Sequence, residues 1–206
     1  MTVSNYHQKH INRSDEEIIR RIFVKELELK KILLETNYKP EFEIVRVAVL
    51  GCADKRFVKL HKLIFEKVLQ KPVELITFDI TTEHLGGEEN VIQHDITTPI
   101  LNGPFDITFG HVVLKFIQTN KQWNVIKNAY NVLCSPGLGI FVFDLEDVTT
   151  EKSIQADGYF SVSIETYKQK LVEENIKFKD LRWDINLDNV PIPIRGLKGG
   201  ALVMEW

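Results

Sequence analysis

The sequence predicts a doubly wound α/β domain with a mainly parallel seven-stranded sheet, helices on both faces and an antiparallel hairpin at its C-terminal edge. Three observations predict this fold. A β-branched apolar run at 45–50 ends in Gly51, apolar strands then alternate with amphipathic helices, and the chain closes on two adjacent strand patterns. Ligands of such sheets bind beyond the carboxyl ends of the strands, so we expect a site after the first strands.

Composition excludes several classes of protein. The chain has 206 residues, 44% of them hydrophobic and 27% charged, which is typical of a globular domain. A formal net charge of −3 gives no electrostatic signal for DNA or an anionic membrane. Cys52 and Cys134 form neither a disulfide framework nor a zinc motif, so no metal is expected. No apolar run reaches the roughly 20 residues of a membrane span. With no signal core in residues 1–13, we expect a cytoplasmic protein.

The leading segment, residues 1–41, is predicted to be a polar tail followed by one helix, and residues 42–206 form the α/β domain. Ser14 and Glu17 make a capping-box pattern, and Tyr38 to Pro40 ends the helix. The apolar stripe consists of Ile18, Ile22, Leu29, Ile32 and Leu33. We expect this helix to pack over one end of the sheet and to be the candidate surface for a protein partner.

The sheet begins with a strand–helix–strand unit. The strand at 45–50, the amphipathic helix at 56–70 and the strand at 73–79 have about the length of a right-handed crossover. The remaining predicted strands are 91–95, 105–110, 138–144, 177–187 and 200–206. The remaining predicted helices are 121–133 and 163–175. Residues 135–137 are predicted to form a turn, residues 145–162 a loop and residues 191–196 a connection.

The first candidate site is the turn after the first strand. Gly51 lets the backbone bend tightly and approach a ligand, and the following helix directs its amide dipoles to that point. An ordinary strand–helix turn also favours glycine. The charges at Asp54, Lys55 and Arg56 either face a ligand or simply face solvent.

Carboxylates end the next two strands. Asp79, some 28 positions past the glycine, can accept hydrogen bonds from two ribose hydroxyls, or it caps the turn at Thr81. Asp95 can accept from the exocyclic amine of a base, or it is a turn residue.

Gly110 and His111 follow the fourth strand. A small residue there can line the reacting end of a cofactor, and His111 can act as a base or orient a substrate. A plain strand-to-helix bend is the alternative. His61 and His84 have no evident partners in the sequence and are expected to be surface or core fillers.

The order of these features resembles the class I S-adenosylmethionine-dependent methyltransferase superfamily over residues 42–206. The matching segments are VRVAVLGCADKRF, ELITFDIT, NVIQHDITTP, GPFDITFGHVVLKFI and NVLCSPGLGIFVFD. The resemblance implies a Rossmann-like sheet and S-adenosyl-L-methionine as cofactor. It implies cofactor binding by Gly51, Cys52, Ala53, Lys55, Asp79, Ile80, Asp95, Ile96 and Gly110, and a catalytic role for His111.

The first motif departs from the family pattern of acidic–x–Gly–x–Gly–x–Gly. Ala53 and Lys55 replace its second and third glycines, and Val49 or a neighbour replaces the acid. Lys55 either blocks the methionine part of the cofactor or pairs with its carboxylate.

Two functions therefore stay open at this point. One is methyl transfer to an unidentified small molecule, protein or RNA, bound between residues 111–117, the loop 145–162 and the leading helix. The other is a catalytically inactive binding or scaffold module, with the leading helix and the closing Trp206 strand as partner surfaces. A nicotinamide-dependent oxidoreductase is disfavoured, because Gly-x-Gly-x-x-Gly is missing.

Overall fold

The computed structural model describes residues 13–144, 159–185 and 197–206. The chain divides into two compact units, one up to Ile96 and one from Thr97 to Trp206. Most of the predicted tail, most of the predicted loop at 145–162 and the connection at 191–196 lie outside the described residues.

The described helices and strands alternate as expected. The helices are α1 (Asp15–Thr36), α2 (Arg56–Leu69), α3 (Thr119–Asn131) and α4 (Ile164–Glu173). The strands are β1 (Val45–Leu50), β2 (Val73–Asp79), β3 (Val91–Gln93), β4 (Phe105–His111), β5 (Leu133–Asp144), β6 (Lys177–Ile185) and β7 (Leu197–Glu205).

The seven strands form a sheet in the order β3-β2-β1-β4-β5-β7-β6. The pairs β1–β2, β2–β3 and β4–β5 are parallel, whereas β5–β7 and β6–β7 are antiparallel. The predicted fold class is therefore confirmed, including the antiparallel hairpin of β6 and β7 at the C-terminal edge.

In the first unit, β1 and β2 pair so that Leu50 lies opposite Phe78 and both strands end together. Both side chains are fully buried, as the continuous apolar run predicts for a parallel strand with two covered faces. The shared end brings the residue after β1 next to the last residue of β2, where the site was expected.

Helix α1 begins as predicted, because the Ser14 hydroxyl accepts a hydrogen bond from the Glu17 amide at 3.2 Å. It packs along α2 in the same direction. An ion pair joins Asp15 to Arg56 near the first turns at 3.4 Å, and another joins Glu26 to Lys67 further along at 2.7 Å.

The structure corrects several predicted boundaries and one predicted turn. Helix α3 starts at Thr119 rather than residue 121, since the Lys121 amide already bonds the Gln118 carbonyl at 2.7 Å. Strand β3 ends at Gln93, two residues early, so Asp95 follows the strand. The turn predicted at 135–137 is wrong, because these residues lie within β5. A register shift between β4 and β5 accommodates the proline there.

In the second unit, a buried glutamine fixes the segment that precedes α4. The Gln122 side-chain amide donates to the carbonyls of Ile117 at 2.9 Å and Ser161 at 3.0 Å, and its oxygen accepts from the Tyr167 hydroxyl. The Phe160 amide donates to the Lys115 carbonyl at 2.8 Å. The chain around residue 160 is thereby held against the segment that follows β4.

Candidate functional site

The turn after β1 requires a glycine. Gly51 has φ +83°, a left-handed conformation that side chains with a Cβ rarely adopt, and its amide donates to the Phe78 carbonyl at 2.8 Å. The chain therefore bends sharply at the end of β1 while it remains bonded to the end of β2.

The carboxylate of Asp79 faces this turn. Its Oδ2 accepts from the Cys52 amide at 2.8 Å, and its Oδ1 accepts from the Thr81 amide at 3.1 Å. Only 6% of the residue is exposed. Asp79 therefore caps its own turn at Thr81, as one of the two sequence interpretations predicted, and it also lies against the glycine turn. Its contact with ribose hydroxyls stays a prediction. Each carboxylate oxygen can accept a second hydrogen bond, which leaves capacity for a ligand hydroxyl.

Two histidines extend this arrangement. The Nε2–H of His84 donates to the Cys52 carbonyl at 2.7 Å, so the expectation that His84 is a mere filler is wrong. No sequence signal identifies this contact, because the partner of His84 is a backbone carbonyl, which every residue type carries. The His94 amide donates to the Asp79 carbonyl at 2.8 Å. That bond keeps Asp95 and Ile96 beside the end of β2.

The neighbouring apolar residues differ in exposure. Ile80, directly after Asp79, is 58% exposed, which is unusual for isoleucine and offers an apolar surface beside the carboxylate. The Ile96 side chain is buried, so only its backbone can meet a ligand. The binding roles of Ile80, Asp95 and Ile96 stay predictions.

The residues that replace the family glycines do not strain the turn. Lys55 has helical dihedrals, φ −57° and ψ −29°, and an exposed side chain, and Ala53 is half-buried. The Lys55 side chain is therefore open to solvent at the start of α2. Its predicted cofactor contact, like those of Cys52 and Ala53, stays a prediction.

The buried Asp54 and the partly exposed Arg56 form an ion pair at the start of α2. Asp54 accepts from the Arg56 guanidinium at 2.7 and 3.0 Å and from the Arg56 amide at 3.1 Å. Burial raises the pKa of Asp54, but the hydrogen bonds and positive charge of Arg56 outweigh it and hold that pKa below its usual value. Arg56 also donates to the Arg13 carbonyl at 3.0 Å. The pair therefore fastens the turn to the beginning of α1.

The thiol of Cys52 is not a nucleophile. Burial is the main cause that raises its pKa to about 12, and the negative charges of Asp79 and Asp54 act in the same direction. Only the thiolate reacts readily, so Cys52 contributes its backbone to the site and not its sulfur.

Helix α1 adds two charges that the sequence analysis did not single out. Lys25 and Glu28 are 8% and 3% exposed, and the Lys25 ammonium lies 5.5 Å from the centre of the Phe57 ring. Burial lowers the pKa of Lys25 and raises that of Glu28, while each charge partly offsets the shift of the other. Lys25 is seven positions, or two helical turns, after the buried Ile18. This spacing is the one feature of the sequence that indicates a buried position for Lys25.

The predicted residues of the second unit are Gly110 and His111. A Cβ on Gly110 would lie 2.8 Å from the Phe141 ring and 2.9 Å from a Val113 methyl group, so packing accounts for this glycine. His111 ends β4, is half-exposed and lies 5.9 Å from the Phe109 ring, centre to centre. Gly110 as a cofactor contact and His111 as a catalytic group stay predictions.

Lys115 forms a charged cluster after β4. Its ammonium lies 3.5 Å from Asp144 at the end of β5 and 5.2 Å from the centre of the Tyr159 ring. The rings of Phe116 and Tyr159 meet edge to face at 5.3 Å. This cluster falls in the part of the sequence predicted to bind a methyl acceptor.

Among residues 13–144, 159–185 and 197–206, no three His, Cys, Asp or Glu side chains are grouped so that they could hold a metal ion. None of the helices in these ranges is both long and apolar enough to cross a membrane.

No family model matches the sequence. No curated protein matches it either.

Solved structures match over most of the chain. The N-methyltransferase NodS from Bradyrhizobium japonicum WM9, in complex with S-adenosylhomocysteine, is 14% identical, with 95% of this chain and 90% of that chain covered and a TM-score of 0.53. The plantazolicin methyltransferase BpumL, also in complex with S-adenosylhomocysteine, is 11% identical. The match covers 97% of this chain and 88% of that chain, with a TM-score of 0.61. Magnesium protoporphyrin IX methyltransferase (ChlM) from Synechocystis PCC 6803, with S-adenosylmethionine bound, is 12% identical. The match covers 100% of this chain and 86% of that chain, with a TM-score of 0.55.

At these identities the likeness shows the fold. The chain has the fold of the class I S-adenosylmethionine-dependent methyltransferases, and the resemblance predicted from its motifs is confirmed at that level.

Proposed function

We propose that the protein binds S-adenosyl-L-methionine and transfers its methyl group to an acceptor not yet identified. One observation carries the proposal: the Asp79 carboxylate, at the end of β2, lies against the left-handed Gly51–Cys52 turn at the end of β1. Parallel sheets bind nucleotide ligands at such a crevice, with an acidic residue on the ribose. The fold similarity is consistent with the proposal.

The residues present suit an adenosine group. Asp79 retains acceptor capacity for ribose hydroxyls, and the exposed Ile80 supports one face of the adenine. Asp95 accepts from the exocyclic amine, and the Ile96 backbone lies along the same edge. Gly51 allows close approach of a ligand to the turn.

When bound, the cofactor supplies an electrophilic methyl group on a sulfonium centre, which needs no further activation. The protein's contribution is then to hold an acceptor in line and to exclude competing water. His111, half-exposed at the end of β4, is the group assigned to orient the acceptor nucleophile or take its proton.

Titration calorimetry with S-adenosylhomocysteine tests the proposal. We expect binding to the wild-type protein, and about tenfold or weaker binding to Asp79→Asn, which loses a charge-assisted acceptor. Asp184→Asn, in the exposed ion pair with Lys198 on the edge hairpin, is the matched control and should bind like the wild type. Absence of binding heat at millimolar ligand would contradict the proposal.

A catalytically inactive binding module is the second candidate. The replacement of two family glycines by Ala53 and Lys55 favours it, as does the fact that Asp79 already bonds two amides of its own chain. Its partner surface would be the outer face of α1, where Ile19 and Leu34 are exposed. This candidate predicts no thermal stabilisation by S-adenosylmethionine or S-adenosylhomocysteine.

A further inference from the structure

Helix α1 buries two opposite charges on one face. Lys25 and Glu28 lie three positions apart, so their side chains emerge on the same side of the helix. Both are almost completely removed from solvent. Burying an ammonium and a carboxylate costs desolvation free energy, which apolar side chains of the same size would avoid. Packing alone therefore does not account for this pair.

Lys25 lies close to the glycine turn. The Lys25 ammonium is 5.5 Å from the centre of the Phe57 ring, and Phe57 belongs to the first turn of α2, directly after residues 51–55. Burial raises the pKa of the Cys52 thiol, Lys25 is near enough that its positive charge opposes that shift, and the Cys52 amide bonds Asp79. The charge on α1 and the carboxylate on β2 thus both lie near Cys52.

The second end of an adenosyl cofactor has matching chemistry. Beyond the adenosine, S-adenosylmethionine carries an α-amino acid, with a carboxylate and an ammonium on one carbon. A buried lysine and a buried glutamate, side by side, provide one opposite charge for each of these groups, so every charge remains paired.

We propose that Lys25 and Glu28 bind the zwitterionic amino-acid end of the cofactor, Lys25 the carboxylate and Glu28 the ammonium. This inference rests on the proposed function and assigns a second half of its site to the leading helix. It also replaces Lys55 as the lysine that pairs with the methionine carboxylate. Lys55 is exposed, and an ion pair between hydrated groups contributes little to binding.

Two ligands distinguish binding of the adenosine group from binding of the amino-acid end. S-adenosylhomocysteine carries both adenosine and the amino-acid end, whereas 5′-methylthioadenosine carries adenosine alone. The variant is Lys25→Met with Glu28→Leu, because removing both charges together leaves no uncompensated buried charge that could unfold the protein. The control is Lys31→Met with Glu35→Leu, which removes an exposed ion pair of α1 whose charged atoms lie 3.6 Å apart. Dissociation constants of both ligands are measured by calorimetry, and circular dichroism checks the fold.

We expect the double variant to bind S-adenosylhomocysteine about tenfold or more weakly, while its affinity for 5′-methylthioadenosine stays within about twofold of the wild-type value. The control should bind both ligands like the wild type. An unchanged preference for S-adenosylhomocysteine in a folded double variant overturns this inference and leaves the proposed function standing. If the wild-type protein binds neither ligand, both proposals are overturned.

Discussion

The Cys52 backbone amide donates to the carboxylate of Asp79 at 2.8 Å, although 27 positions separate the two residues. The bond joins the turn after β1 to the last residue of β2. It orients the acidic side chain before any ligand arrives, so the ligand does not have to bear the cost of ordering that side chain.

This bond predicts a structural cost for Asp79→Ala. The variant leaves the amides of Cys52 and Thr81 without their acceptor, and we expect it to lose about 1–3 kcal/mol of unfolding free energy. Asp79→Asn keeps one acceptor oxygen and should lose less. Chemical denaturation measures both values, and equal stability of all three proteins would contradict the bond.

Gly51→Ala should be destabilising for a different reason. Alanine at φ +83° is strained by about 1–2 kcal/mol. Gly86→Ala is the control, since Gly86 has φ −52° and an added Cβ there makes only ordinary contact with the Glu83 carbonyl. Equal unfolding free energies of the two variants would show that the left-handed turn is not required.

The buried charges of α1 should lower the stability of the fold. We expect Lys25→Met/Glu28→Leu to be about 1–4 kcal/mol more stable than the wild type near neutral pH. Because the pKa of Glu28 is raised in the folded protein, its burial does not reduce the free energy of unfolding below its unfolded pKa of about 4.3. The reduction grows as pH rises above that value. Because the pKa of Lys25 is lowered in the folded protein, its burial reduces the free energy of unfolding most at low pH and no longer reduces it above about pH 10.4. The gain should therefore be largest near neutrality and decrease toward both extremes. Urea denaturation of the wild type and the double variant at a series of pH values measures this gain in stability. A gain that does not vary with pH would contradict the assignment of Lys25 and Glu28 as buried charges.

The packing around Gly110 leaves no room for a side chain. We expect Gly110→Ala to cost about 1–3 kcal/mol, because its Cβ would meet the Phe141 ring at 2.8 Å. Adding Phe141→Leu should recover part of that loss, so the two changes should not be additive in a double-mutant cycle. Additive losses of unfolding free energy would show that the ring is not the obstacle.

The two cysteines should differ in reactivity. Cys52 is buried, with a pKa raised to about 12, and should resist a disulfide reagent at pH 8, whereas the half-exposed Cys134 should react. Native protein is therefore expected to release one equivalent of thionitrobenzoate from Ellman's reagent, and denatured protein two. Rapid release of two equivalents from native protein would show that Cys52 is accessible.

Local patterns predict the first half of the sheet well. The apolar run at 45–50 and the strand at 73–79 match β1 and β2, because parallel strands with both faces covered are rich in apolar residues. The turn predicted at 135–137 was wrong, since a proline and a glycine there stay within an irregular strand that tertiary pairing imposes.

The candidate site was predicted only where one residue type determines the geometry. Gly51 and Asp79 were predicted to lie together, because strand ends and a left-handed turn leave direct traces in the sequence. The His84 contact leaves no such trace, since its partner is a backbone carbonyl. Lys25 and Glu28 lie in a strongly charged stretch of α1, where charge normally indicates a solvated face.

Arg56 connects three parts of the first unit, since it bonds Asp54, Asp15 and the Arg13 carbonyl. A truncated protein that begins at residue 42 would lose two of these partners and would uncover the surface against which Ile18, Leu29 and Ile32 are buried. The sheet domain produced alone would therefore be prone to aggregate. A fragment intended for expression should begin upstream of Arg13.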